Sequence, residues 1–141
     1  QAANLFDAIY NRWFADAIFK GKYPQIALNV FEPLMPKDYH SDLNIISKPI
    51  DWLGINYYTR SLIKSKVIED GINYECHRGS LKTTDMGWEF YPQGLSYFIN
   101  RIHQEYDEKI PIPYLQYKTH LLNLPLTKLQ SLCREQKSTP Q

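Results

Sequence analysis

The sequence predicts an α/β chain whose strands run in parallel. Three observations carry this. An apolar stripe recurs at helical spacing over residues 4–21, a short apolar strand covers 50–58, and a second amphipathic helix opens at Pro92 and leads to a strand start at Lys109–Ile112. Strands that alternate with helices pair in parallel, because a parallel connection needs a crossover and the crossover is usually a helix.

In the first element, Phe6, Ile9, Tyr10, Trp13, Phe14, Ala17 and Ile18 fall on one helical face, with Asn4 as candidate N-cap and Gly21 as the stop. Residues 23–39 carry Pro24, Pro33 and Pro36 among short apolar clusters and read as a loop holding a short helix. A further helix is expected from Ser41 to Ser47, ending ahead of Pro49 because the residue before a proline is pushed out of the helical region. The strand Ile50–Tyr58 follows. Alternating residues on both sides of Asp70-Gly71 predict a β-hairpin over 61–76. Residues 77–91, with Gly79 and Gly87, read as loop. Pro92 suits a first helical turn, and Leu95, Phe98, Ile99, Ile102 and Tyr106 line one face beyond it.

The strand is the informative element. Side chains alternate between its faces, so Leu53, Ile55 and Tyr57 point one way and Gly54, Asn56 and Tyr58 the other. The first set can bury. The second offers space, an amide and a phenol on one side, which suits a site more than a core.

Composition excludes several classes. The net charge of +1 gives no electrostatic case for nucleic acid or an anionic membrane. No apolar run approaches the roughly 20 residues that span a bilayer. Residues 1–13 show no basic start followed by an apolar block, and a cytoplasmic location is the default expectation. Cys76 and Cys133 form no CxxC pair and no metal-type spacing with the histidines, so both are expected to be free thiols and no metal site is expected. Aromatic residues make up 14% of the chain, which fits either a tyrosine-rich core or a carbohydrate site lined by flat rings.

The chain changes character near Ile112. From Pro111 onward there is no glycine, and Lys118, Lys128, Arg134 and Lys137 face the single acid Glu135.

Three stretches occur in a fixed order and spacing: NRWFADAIFKGKYP, PIDWLGINYYTR, and TDMGWEFYPQGLSYFINRIHQEY followed by KIPI. Together they resemble family 1 of the glycoside hydrolases, the β-glucosidases, β-galactosidases and 6-phospho-β-glycosidases, over residues 1–112. The resemblance implies a partial (β/α)8 TIM barrel holding about strands 6 to 7 with flanking helices. It implies that Asn56 and Tyr58 face the sugar pocket, with the tyrosine matching Tyr58 holding the nucleophilic carboxylate. It places Trp88 in the loop after that strand, beside the aglycone half of the cleft. The family needs no metal and no organic cofactor.

Retaining hydrolysis uses two glutamates, one as acid/base and one as nucleophile. The family's acid/base motif, Thr-x-Asn-Glu-Pro, does not occur in these residues, and KIPI continues as PYLQYKTH in place of the Ile-Thr-Glu-Asn-Gly that carries the nucleophile. No catalytic residue can therefore be assigned. Glu69, Asp70, Glu75, Glu89, Glu105, Asp107 and Glu108 are expected to be solvated charges at turns and helix ends. The expectation is a C-terminal-side fragment of a retaining β-glycosidase, inactive as this chain, with residues 113–141 an aberrant tail from a shifted reading frame or a mispredicted gene end. The alternative is a non-catalytic remnant that binds sugar weakly or serves as an interaction module. A complementing N-terminal chain is the further partner expected beside a β-glucoside or related sugar.

Overall fold

A computed structural model describes residues 1–69 and 71–106, and the backbone of 114–117. The element order is α1 (Ala2–Asp7), a π-helical segment (Ala8–Arg12), α2 (Trp13–Lys20), α3 (Gln25–Phe31), a 3₁₀ turn (Glu32–Leu34), α4 (Tyr39–Ile46), β1 (Gly54–Tyr57), β2 (Leu62–Ser65), β3 (Tyr74–His77), α5 (Gln93–Glu105) and β4 (Tyr114–Tyr117). The chain divides into two units. One comprises Gln1–Pro49 with Ser61–Gly79, the other Ile50–Arg60 with the described residues from Ser80 on.

In the first unit the expected helix over 4–21 forms, but it begins at Ala2 and not at an Asn4 cap. Asn4 lies inside the first turns, where its Oδ1 accepts a hydrogen bond from Arg12 Nη2 at 2.5 Å. Arg12 Nε also donates to Asp7 Oδ2 at 2.8 Å across five residues, the spacing that a π-segment aligns on one face. Gly21 ends α2 in the left-handed region (φ 60°), as its position predicts. Aromatic rings pack against one another in this unit. Trp13 stacks on Tyr23 at 4.2 Å and meets Phe31 edge-on at 5.7 Å, while Phe6 stacks on Tyr10 at 4.4 Å and meets Tyr74 edge-on at 5.2 Å. Ala8, Ala17 and Ala27 are buried, since small residues let the helices approach closely.

The hairpin pairs β2 with β3 antiparallel, from Leu62↔His77 to Ser65↔Tyr74. It is not closed by a two-residue turn, and Asp70 lies outside the described residues. The ladder stops at Ser65. Beyond it the Asn73 side chain takes the Ile68 amide at 3.1 Å, and Gly71 N–H donates to the Ile68 carbonyl at 3.2 Å. One side-chain bond and one local backbone bond thus stand beyond the end of the ladder.

The second unit is built on β1, α5 and β4. β1 pairs in parallel with β4, in register from Gly54↔Tyr114 to Tyr57↔Tyr117. A strand, an intervening helix and a parallel strand realise the predicted α/β arrangement. The strand is shorter than the expected 50–58, because the pairing covers only Gly54–Tyr57; Ile50 and Trp52 lie exposed ahead of it. KIPI falls outside the described residues, and the strand beyond it is Tyr114–Tyr117. On α5, Leu95 is almost fully buried, and Phe98, Ile99, Ile102 and Tyr106 are half-buried on the predicted face. Tyr57, the one buried residue of β1, packs its ring against Phe98 at 6.3 Å.

Candidate functional site: the C-terminal end of β1 and the loop 80–91

Alternation along β1 holds as the pattern predicts. Gly54, Asn56 and Tyr58 are exposed, while Leu53 and Ile55 are half-buried and Tyr57 is buried. Asn56 and Tyr58 therefore leave the strand on its open side, at the C-terminal end.

The loop that follows brings Trp88 to the same place. Residues 82–90 fold as a small antiparallel turn. Phe90 N–H donates to the Lys82 carbonyl at 2.9 Å, Thr84 N–H to the Trp88 carbonyl at 2.9 Å, and Gly87 N–H to the Thr84 carbonyl at 2.9 Å. Thr83 bridges Glu89, and Thr84 Oγ1 accepts from Trp88 N–H at 3.2 Å. Gly87 takes φ 77°, a conformation that suits glycine and lets the turn close. At the end of this turn the Trp88 ring lies 5.2 Å from the Tyr58 ring, tilted by 50°. The structure thus joins two of the three expected site residues ring to ring, and it keeps the third, Asn56, on the same open face.

Glu89 departs from expectation. It is not a solvated acid; only 7% of it is exposed. Its carboxylate accepts from Arg60 Nε at 2.8 Å and from Leu81 N–H at 2.9 Å. Its backbone carbonyl accepts from Thr59 Oγ1 at 3.1 Å. The Arg60 guanidinium, and after it the Leu81 amide, hold the Glu89 carboxyl below the usual carboxylate range, while Glu89 in turn raises Arg60. Arg60 also lies over the Tyr91 ring at 4.5 Å. Nothing in Trp-Glu-Phe signals this burial, and only the register of Thr59 and Arg60 just past β1 hints at a partner.

Glu75 is also engaged, in the hairpin of the other unit. Lys66 Nζ at 2.8 Å and His77 Nε2 at 2.6 Å hold its carboxyl down to about 2. Cys76 is a free, exposed thiol, as expected, and Cys133 lies outside the described residues. Among the described residues no group of three or more His, Cys, Asp or Glu side chains could hold a metal ion, and no helix is long and apolar enough to cross a membrane.

A strand, a helix and a parallel strand, with aromatic and amide groups at one strand's C-terminal end, define an α/β protein. The chain belongs to the family described as glycosyl hydrolase family 1, which matches residues 1–116. The match runs past the compositional break near Ile112. Beta-glucosidase A of Acetivibrio thermocellus is 34% identical over 113 residues, covering 75% of this chain and 25% of that protein. The 6-phospho-beta-galactosidase of Clostridium acetobutylicum is 31% identical over 133 residues, covering 75% of this chain and 28% of that protein. Among solved structures, the family 1 β-glucosidase from Thermotoga maritima superposes with a TM-score of 0.69 at 26% identity, covering 79% of this chain and 24% of that one. The same enzyme in complex with deoxynojirimycin gives 0.66 at 28% identity, covering 78% and 24%. The chain spans about a quarter of the length of the curated relatives it matches.

Proposed function

We propose that this chain forms one wall of the sugar pocket of a retaining β-glycosidase, with β1 as the sixth and β4 as the seventh strand of a (β/α)8 barrel. The observation that carries the reading is the Tyr58–Trp88 ring pair at the C-terminal end of a parallel strand. In such barrels that end is where the substrate sits. Asn56 then contributes an amide to sugar hydroxyls, Tyr58 a phenol to the nucleophile's carboxylate, and Trp88 a flat face to the aglycone. The similar Thermotoga maritima enzyme, bound to deoxynojirimycin and other sugar-like molecules, supports a β-linked sugar as the ligand class.

Hydrolysis needs two carboxyl groups about 5–5.5 Å apart, one of them raised in pKa so that it can donate a proton near neutrality. The acids that the structure describes as strongly engaged go the other way. Glu75 and Glu89 are both held down by cationic partners. Neither family glutamate motif stands in the 141 residues. On this reading the chain by itself does not turn over glycosides. Beyond residue 116, where the family match ends, the glycine-free, basic stretch is read as product of a shifted frame or a mispredicted gene end. Sequencing the DNA through codon 112 and reading all three frames tests that part: a Thr-Glu-Asn-Gly run in another frame supports it, and its absence from all frames counts against it.

A second reading, a remnant that binds sugar without cleaving it, is favoured by the exposure of Tyr58 and Asn56 beside Trp88. Titration with cellobiose, followed by tryptophan emission, separates the sugar-pocket readings from a purely structural role. A saturable change that Trp88→Ala abolishes supports a pocket. No change at any concentration, or one untouched by Trp88→Ala, overturns the assignment of Trp88 as a sugar contact.

A further inference from the structure

We infer that Glu89, acting through Arg60, is a positioning residue that sets where the Trp88 ring stands against Tyr58. The importance of that ring pair for sugar rests on the pocket reading above; the ring geometry does not.

The argument starts from alternation. Trp88 and Glu89 are neighbours in a locally extended stretch, shown by the Thr83↔Glu89 bridge and the Phe90–Lys82 hydrogen bond. Successive side chains there point to opposite sides. Fixing Glu89 on one side therefore fixes the azimuth of Trp88 on the other. Glu89 is fixed at three points: Arg60 Nε and the Leu81 amide on its carboxylate, and the Thr59 hydroxyl on its carbonyl. Two of these, Thr59 and Arg60, directly follow Tyr58 in the chain. The clasp therefore ties the residue after Trp88 to the two residues after Tyr58, and the two rings meet between those ties. Arg60 also lies over the Tyr91 ring at 4.5 Å. Every hydrogen-bonding oxygen of Glu89 is engaged, so the network has no slack to absorb loss of a partner. The turn beyond it, residues 84–88, is closed by its own short bonds.

The test uses the full chain carrying Trp13→Phe and Trp52→Phe, so that Trp88 is the sole tryptophan, with no sugar present. The readouts are the emission maximum and the NOE between the Trp88 indole and the Tyr58 ring. Glu89→Gln keeps shape but loses the charge, and Arg60→Met keeps the aliphatic stem but loses the guanidinium. Each is expected to red-shift the emission and to lose the NOE. The double variant is expected to do no more than either single one, and Arg60→Lys to retain part of the signal. Tyr57→Phe is the control for a merely structural effect: it weakens the same unit and is expected to keep the NOE. Persistence of the NOE in both Glu89→Gln and Arg60→Met overturns the inference, as does its loss in Tyr57→Phe. If Glu89→Gln does not fold, Arg60→Met alone decides, because it leaves the Leu81–Glu89 bond in place. Because no sugar is involved, a negative result leaves the pocket reading standing, and a failed cellobiose titration leaves this inference standing.

Discussion

The ring of Tyr57 lies against Gly94, so close that a methyl group on Gly94 would run into the phenol. The phenol in turn donates to the Tyr91 carbonyl at 2.9 Å, one turn before Gly94 on the approach to α5. β1 and α5 are thus locked by a glycine whose missing side chain makes room for a tyrosine.

Gly94→Ala should destabilise the fold. Alanine improves helix propensity by up to about 1 kcal/mol. Overpacking a well-filled contact costs about 1–3 kcal/mol, and here the ring is held by its own hydrogen bond and cannot swing aside freely. The expected net is a lower urea midpoint with an unchanged slope. Tyr57→Phe removes only the phenol's bond and should cost about 1 kcal/mol. A Gly94→Ala variant at least as stable as the parent would contradict this packing.

Gly21→Ala should also destabilise, for a different reason. Gly21 sits at φ 60°, where an L side chain costs roughly 1–2 kcal/mol. The added methyl would also stand 3.2 Å from Ser47 Oγ. Gly21→Asn should cost less, since asparagine tolerates the left-handed region. Equal melting temperatures for Gly21→Ala and Gly21→Asn would argue against a backbone origin.

Glu75 should titrate near 2. Lys66 first, and His77 after it, hold the carboxyl at about 2, below the unfolded value of roughly 4.3. Since the folded value is the lower one, the pair's contribution is complete above the ordinary carboxylate range. It is lost as pH falls through that range toward 2. Both partners are partly exposed, so added salt should weaken the effect. A carboxyl NMR titration of the hairpin reads this directly; an inflection near the unfolded value would show that the contacts do not persist.

Some of this was legible in the residues. The stripe on α5 and the stop at Gly21 follow from local spacing and backbone freedom, and both form as read. The alternation along β1 was legible because period two is a property of the strand itself. What sequence could not show depends on distant partners. Arg60 and Glu89 meet across 29 residues, and each looks like a surface charge until the loop folds back. The hairpin's ladder stops at Ser65↔Tyr74, short of the turn that Asp70-Gly71 suggests, and the Asn73 side chain reaches back to the Ile68 amide, a contact between residues that no local pattern announces. Asn4 looked like a cap because Arg12, its actual partner, lies two turns on across a π-segment that no pattern announces.

The most direct test of the central claim is an assay of the purified 141-residue chain against p-nitrophenyl β-glucoside and β-galactoside. The account predicts no nitrophenol release above the uncatalysed rate, with or without Glu75→Gln and Glu89→Gln. Saturable release that one of these substitutions abolishes would contradict it, and would mean that a carboxylate of this chain does the chemistry.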